Sequence, residues 1–513
     1  MLDRTSSPHT TRPPVSLKSC LRRLGLSKAR LLLRHTSPSV TFLLLVGLTG
    51  CTTQGVYQPA HLEVPKAWSM PAPESAIATP ADQDWWQQLN DPAIDTLVDA
   101  ALADSPYVAQ AIARVDEARA LADVTAAQRI PSMALSASST RARSSDFAGS
   151  TTSASLSERS SIGLGFSWEI DLFGRVRNSI EARTLRIEAR DSAAMATRLA
   201  LTAQVGELVL ASRACELSKA VLRSEIDSRE KTLMLMQRRR NTGFVAPVEE
   251  SRARSGLATA RTALATRRGA CARSINALVA ISGQPRGIVQ ALTAAETPAA
   301  STADTVVAIP SAPAIQLALP ATILAVHPMV VEAERETAAA WSDIAVARAE
   351  RLPRLDLGAA LSGQWIRAAG QSINETVWSL GPALGGPVFD GGQGAANVSA
   401  AQARYRAAEA NLRQVVRSAA EDVENAMAAI ESATQRRRTT LEALEATQQV
   451  LDAMQASWSA GAVSLLEVED ARRQFAAAQN EAIAAAYDSH RAWIALVRAS
   501  GHATAATTGG ALS

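Results

Sequence analysis

Between Ser161 and Ala182 the chain changes its period. Ile162, Leu164, Phe166, Trp168, Ile170 and Leu172 occupy every second position, with Gly163, Gly165, Ser167, Glu169 and Asp171 between them. That is the pattern of a strand with one wholly apolar face. After Gly174 the alternation stops, and a run rich in Ala, Glu, Arg and Leu follows, with no glycine until Gly206 and no proline until Pro247. Such a run is helical. At ~1.5 Å per residue a helix from Arg175 to Asn241 is roughly 100 Å long, several times the length a globular domain uses. The composition agrees: the chain is 47% hydrophobic but only 4% aromatic, which suits long helices packed closely together.

The chain is also written twice. "ALVAISG" (277–283) recurs as "ALVRASG" (495–501), and "TGFVAPVEESRAR" (242–254) is echoed by "AGAVSLLEVEDAR" (460–472), both at an offset of 218. Upstream, "RIPSMAL" (129–135) matches "RLPRLDL" (351–357), and Pro106 matches Pro328, at an offset of 222. The strand-to-helix joint at Asp171 and Gly174 has its own echo at Asp390, Gly391 and Gly392, where two glycines replace Leu-Phe-Gly and a tighter bend is expected. Two tandem copies are implied, each reading helix, strand, loop, strand, very long helix, tight turn, long return helix. In the first copy, Asp91-Pro92 starts a helix that runs to about Gln128. Strands follow at about 132–141 and 162–172, then helices at 175–241 and 248–281. In the second, a helix at 321–350 precedes strands near 355–365 and 376–388 and helices at 395–458 and 464–499. Leu412, Val416, Ala419, Val423, Ala426 and Ile430 keep a heptad spacing, and Leu201, Leu208, Cys215 and Leu222 recur every seventh residue. The resulting organisation is a leader (1–50), a linker (51–90), the first repeat (91–283), a Pro/Ala/Thr-rich connector (284–319), the second repeat (320–501) and a tail (502–513).

The net charge of +3 hides an asymmetry. Residues 1–50 hold eight Lys/Arg against Asp3 alone, a balance of +7 that leaves the remainder at −4. A nucleic-acid binder is not expected. The basic segment precedes the apolar run Val40 to Leu48, too short for a permanent span but suited to a secretory leader. The leader ends in "LTGC", similar to the bacterial lipoprotein signal, which makes Cys51 the expected lipidation site. Thr52 follows it, which by that family's convention favours the outer membrane. Cys20 leaves with the leader, so the mature chain keeps only Cys215 and Cys271. They are equidistant in sequence from Gly243, opposite each other across the first hairpin, where they are either a disulfide or two small core residues. No zinc cluster, redox motif or cofactor site is seen.

The strands carry Ile, Leu, Phe and Trp on one side and Gly, Ser and acids on the other, and no partner layer is left over to cover the apolar side. An 11-residue strand reaches roughly 36 Å, enough when tilted to cross a ~30 Å hydrocarbon layer. A bilayer tolerates no open sheet edge, and known barrels have at least about eight strands. Four strands therefore have to be pooled with those of other copies, and a ring oligomer follows.

These features together resemble the TolC-like outer-membrane efflux channels, specifically their lipoprotein branch. The likeness is carried by "WWQQLNDPAIDTLV" (85–98), "WEIDLFGRVR" (168–177), "VFDGGQ" (388–393) and the two glycine turns. It implies an α+β membrane protein built as a homotrimer, with four strands per chain making a 12-stranded barrel in the outer membrane and a long periplasmic helical barrel beneath it. It implies a passive exit duct of a tripartite efflux system for drugs or other small toxic molecules. The partners implied are a periplasmic adaptor and an inner-membrane pump, a proton-driven transporter of the RND type. Export of metals or of proteins by a type I system is the alternative, and a periplasmic adaptor lipoprotein the more distant one; adaptors have a single hairpin between mixed β-modules. No enzyme is expected, since His61, His327, His490 and His502 are scattered and no nucleophile has a base nearby. The resemblance places a periplasmic constriction at Leu466, Asp470 and Arg473, which spacing alone shows only to be co-facial; Asp470 is expected to bond a neighbouring helix. The first copy has Val248, Arg252 and Ser255 there. The turns, at Gly243, Phe244 and Val245 and at Gly461, Ala462 and Val463, are the expected adaptor-docking surface.

Overall fold

In the computed structural model the described residues are 57–59, 66–69, 84–145, 154–294, 312–313, 320–368 and 371–501. The leader, Cys51, most of the linker and connector, and the tail lie outside them. The elements run α1 (Pro92–Asp104), α2 (Pro106–Ala126), β1 (Ser132–Ser145), β2 (Ala154–Ile170), α3 (Arg175–Asn241), α4 (Pro247–Ser282) and α5 (Arg286–Ala294). The second copy follows as α6 (Pro320–Val326), α7 (Pro328–Ala349), β3 (Arg354–Ala368), β4 (Gln371–Gly385), α8 (Gln393–Ser459) and α9 (Leu465–Ala499).

Two sequence expectations are corrected here. The single helices predicted at 92–128 and 321–350 are each broken in two, at Ser105-Pro106 and His327-Pro328. The residue before a proline is pushed out of the helical region, and Ser105 (ψ 123°) and His327 (ψ 123°) are both extended, each proline then opening the next helix at its first position. The strands also differ in extent: β1 and β2 continue to 145 and start from 154, and β4 begins five residues N-terminal of its predicted start. The added segments are rich in Ser, Arg and Glu and show no apolar alternation to mark them.

The four strands form one antiparallel sheet in the order β1-β2-β3-β4. Its register aligns the faces. Leu135, Leu164, Leu361 and Trp378 sit opposite one another across all four strands, as do Met133, Phe166, Ala359 and Leu380. The intervening rows are mostly small and polar: Ser136, Gly163 and Ser362, ending in Val377 on β4, then Ser138, Ser161, Gln364 and Glu375. The apolar face has no covering layer among the described residues, and Trp378 is 74% exposed. β1 and β4 each pair on one side only.

The hydrophobic core lies instead around the middle of the helices. Trp85, Leu89, Ile94, Leu97 and Val98 pack on Val205 and Val209 of α3, Leu278 of α4 and Trp493 and Ile494 of α9. Asp91 caps α1 by accepting from Ala93 N (3.0 Å) and also takes Arg213 at 2.7 Å, while Trp85 Nε1 donates to Thr202 Oγ1 at 3.2 Å. The "WWQQLNDP" segment is thus a belt anchored to the long helices. The heptad seam of α8 is buried as its spacing predicts, Leu412, Val416 and Ala419 against Leu324, Val330 and Ala333, and Val423 and Ala426 against Ile323 and Leu496. A ladder of ion pairs, Arg190 to Glu332 and Glu336, Arg186 to Asp343 and Arg335 to Glu188, fastens α7 to α3. Cys215 and Cys271 are joined in a disulfide, Cα atoms 5.6 Å apart, stapling α3 to α4.

Candidate membrane joint, tip and gate

Each copy passes from sheet to helix through a glycine. Gly174 is left-handed (φ 80°) and begins α3, with Asp171 Oδ2 accepting from Arg177 N at 2.8 Å. Arg175, in the first turn of α3, grips Glu169 of β2 at 2.6 Å and ties the end of the strand to the start of the helix. In the second copy Gly391 and Gly392 are both left-handed (φ 64° and 93°). There Asp390 accepts from Gly392 N (2.9 Å) and Gly394 N (2.7 Å), and these bonds, that from Gly394 foremost, hold its carboxyl below the ordinary range. The tighter bend expected at this joint is not found: residues 386–392 separate β4 from α8, against 171–174 between β2 and α3.

The two hairpin turns share one geometry. At the first, Gly243 N donates to Arg240 O and Phe244 N to Arg239 O, both at 2.9 Å; at the second, Gly461 N donates to Trp458 O and Ala462 N to Ser457 O, again at 2.9 Å. These are paired Schellman closures, which need the left-handed residue that Gly243 (φ 80°) and Gly461 (φ 76°) supply. The return helices then start differently. α4 opens with Pro247, whereas α9 opens with a reciprocal capping box in which Ser464 N and Oγ donate to Glu467 Oε2 (2.7 and 2.8 Å) and Glu467 N donates to Ser464 Oγ (3.3 Å). Phe244 is 82% exposed at the first turn, and Val245 and Val463 are half-buried beside it and its counterpart.

Leu466, Asp470 and Arg473 do share a face of α9, and that face looks onto the first hairpin. With Arg229, Thr232 and Arg252 they line a crevice of about 270 Å³ between the two hairpins. Asp470 pairs with Arg473 one turn on, so its partner within the chain lies on its own helix rather than on a neighbouring one. Arg252, the first-copy counterpart, pairs with Glu249 at 2.8 Å. Val248 beside it is exposed, as is Leu466 at 52%. The bonds that join the hairpins come from residues that sequence reasoning passed over: Thr232 Oγ1 donates to Glu469 Oε1 (2.8 Å), and Arg472 Nη1 donates to Ser228 Oγ (2.7 Å) as well as to Glu469 (2.9 Å). Only the i, i+3 spacing of Glu469 and Arg472 was visible in advance. A larger cleft of about 680 Å³, lined by Ser224, Asp227, Lys231, Gln448 and Gln479, lies between α3, α8 and α9.

An open sheet with an apolar face, two glycine joints and two matched hairpins is the geometry of a shared duct. Residues 97–284 and 319–502 each match the outer membrane efflux protein family. The chain belongs to this family. The offset between the two matches falls from 222 at their starts (97 and 319) to 218 at their ends (284 and 502), the same drift as the internal echoes. Among its relatives, OprJ of Pseudomonas aeruginosa is 27% identical over 70% of this chain and 74% of its own length. The pyoverdine export outer membrane protein OpmQ of the same organism is 28% identical over 71% and 75%, and the cation efflux system protein CusC of Escherichia coli K12 is 26% identical over 71% and 77%. The fold is also that of the Campylobacter jejuni CmeC outer membrane channel, with a TM-score of 0.75 at 18% identity over 88% of this chain and 95% of that one. The efflux protein is therefore an α+β outer-membrane protein with the fold of the TolC-like channels, its four-stranded sheet continued by long helices.

Proposed function

We propose that this outer-membrane efflux protein is the passive exit duct of a tripartite system that expels drugs or other small toxic molecules. The observation that carries the reading is the sheet with an uncovered apolar face and two unpaired edges, continued by two 67-residue helices. Such a sheet is stable only in lipid and only when closed by other copies, and helices of ~100 Å reach far from it. OpmQ and CusC, named for pyoverdine and for cations, stand at almost equal identity to this chain, so the cargo is set outside the duct, by the pump. Cys51 anchors the mature chain in the outer membrane through acyl chains. The turns Gly243 to Val245 and Gly461 to Val463 dock a periplasmic adaptor, which links the duct to a proton-driven inner-membrane pump. Leu466, Asp470 and Arg473 narrow the periplasmic end.

Three measurements test this. Strains lacking the chain should become sensitive to small toxic compounds and be restored by it; unchanged sensitivity to drugs with a new sensitivity to copper or silver would move the cargo to metals. Photo-crosslinkers at Val245 and Ala462 should capture a coiled-coil adaptor in cells, identified by mass spectrometry, and capture from neither would remove the docking role. Mass spectrometry of the mature N-terminus should find an acylated Cys51.

A further inference from the structure

The two hairpin tips share a backbone but not a charge. Between Arg438 and Arg472 the second hairpin has no Lys or Arg, whereas the matching stretch of the first, 221–253, has seven. Three of these, Arg238, Arg239 and Arg240, fill the last turn of α3. Consecutive helical residues point about 100° apart, so the three fan around the tip. Arg240 is engaged with Glu250. Arg238 and Arg239 are exposed, and among the described residues their side chains have neither an ion pair nor a hydrogen bond. Cations near a helix C-terminus are favoured by its dipole, but the last turn of α8 has none, so the dipole does not account for the difference.

A neighbouring copy is a poor match for these arginines, because every carboxylate at either tip is already engaged. Glu249 holds Arg252, Glu250 holds Arg240 and Arg254, Asp452 accepts from Gln448, Glu467 closes the Ser464 cap, Glu469 holds Thr232 and Arg472, and Asp470 holds Arg473. What is left at the first tip is two uncommitted positive charges around an exposed aromatic ring, Phe244. What is left at the second is the short apolar surface of Ala462, Val463 and Leu466. We propose that the first tip receives an acidic helical-hairpin tip, one whose turn carries carboxylates beside an apolar side chain that packs on Phe244, while the second tip contributes an uncharged apolar shoulder. This rests on the docking reading given above and assigns its chemistry: a tight adaptor must be acidic where it meets the first hairpin, and the two tips of each chain are not interchangeable.

The probes are two synthetic helical-hairpin peptides, identical except that Glu-Leu-Glu or Lys-Leu-Lys occupies the turn, each titrated onto the full trimer in detergent. At 50 mM NaCl the acidic hairpin should bind about tenfold more tightly. In 1 M NaCl, where the screening length is ~3 Å, that advantage should vanish. The double variant R238Q/R239Q, checked for intact trimers, should erase it at low salt, while R436Q on the distant part of α8 should not. Equal binding of the two peptides, or preference for the basic one, overturns the charge assignment. If the adaptor is nevertheless captured at Val245 in cells, tip docking stands without it; if capture at Val245 also fails, the docking reading falls as well.

Discussion

At the scale of single residues, the tips are held by a few charged contacts whose behaviour can be tested directly. Asp470 and Arg473 sit in the crevice between the hairpins, and Glu469 ties that crevice to Thr232. D470A removes the pair with Arg473; if these side chains form the proposed constriction it should raise single-channel conductance in planar bilayers, and an unchanged conductance removes Asp470 from that role. The Ser464 hydroxyl is one half of a capping box, and S464A should destabilise the second turn by about 1 kcal/mol, read as faster amide exchange at 461–468. Acid acts on these turns at a defined point. Arg240 chiefly, and Arg254, hold the Glu250 carboxyl below its ordinary value, and the Ser464 N–H does the same to Glu467. A carboxyl depressed in the folded state stabilises it fully above the ordinary value of ~4.3, and that contribution is lost as pH falls through the depressed value. Spin labels at Phe244 and Ala462 should therefore keep their spectra at pH 5 and loosen below about pH 4. The two buried histidines respond earlier. His327 and His490 are lowered mainly by burial, so their contribution is complete above ~6.5 and declines as pH drops below it. At this scale the sequence was least informative: it put Leu466, Asp470 and Arg473 on one face, but Thr232 and Ser228, the partners of Glu469 and Arg472, lie in the other copy of the repeat, and no local pattern points to them.

At the scale of elements, the helices were legible and the outer ends of the strands were not. An Ala-rich run without glycine or proline leaves helix as the low-energy choice, and α3 came out with the ends read from the sequence. The strands in lipid announce themselves only where apolar and small residues alternate, so β1 was seen to Arg141 but not through its Ser/Ala/Arg continuation. Breaks at Ser105 and His327 followed from proline chemistry that the helix patterns on both sides had masked. The face assignment carries a prediction: L164R places a cation in the middle of a fully apolar row and should destabilise the barrel by about 2–4 kcal/mol, whereas S161R on the other face should change little. The disulfide is a second element-scale feature and corrects the sequence reading, which favoured two small core residues because cysteines in a heptad seam usually only fill space. It closes a loop across a sequence separation of 56 in the first hairpin. The corresponding positions of the second copy are Ala433 and Ser489, so the second hairpin lacks it. C215A/C271A should lower stability by about 2–4 kcal/mol, and hydrogen exchange should rise in α3 and α4 below the bond; protection that stays unchanged would reduce the pair to core filling.

At the scale of the whole molecule, the sheet is complete only in company. β1 and β4 have unpaired edges and the apolar rows run to both of them, so co-expressed copies bearing two different tags should mix within heat-resistant trimers in outer-membrane fractions. A monomer in the inner membrane would contradict the assembly. The tandem echoes already contained this plan, because the shift in their offset from 222 to 218 placed the length differences between the copies in and around the strands and left the hairpins equal.

That equality sets a rule for how the molecule can change. α3 and α8 are both 67 residues long, so in the trimer proposed above the two hairpins of each chain would reach about equally far from the sheet. Seven residues added to α3 alone would move its turn ~10 Å beyond that of α8, and the proposed docking rim would be notched. The reach of this duct across the periplasm can therefore lengthen or shorten only if both halves of the gene change in step.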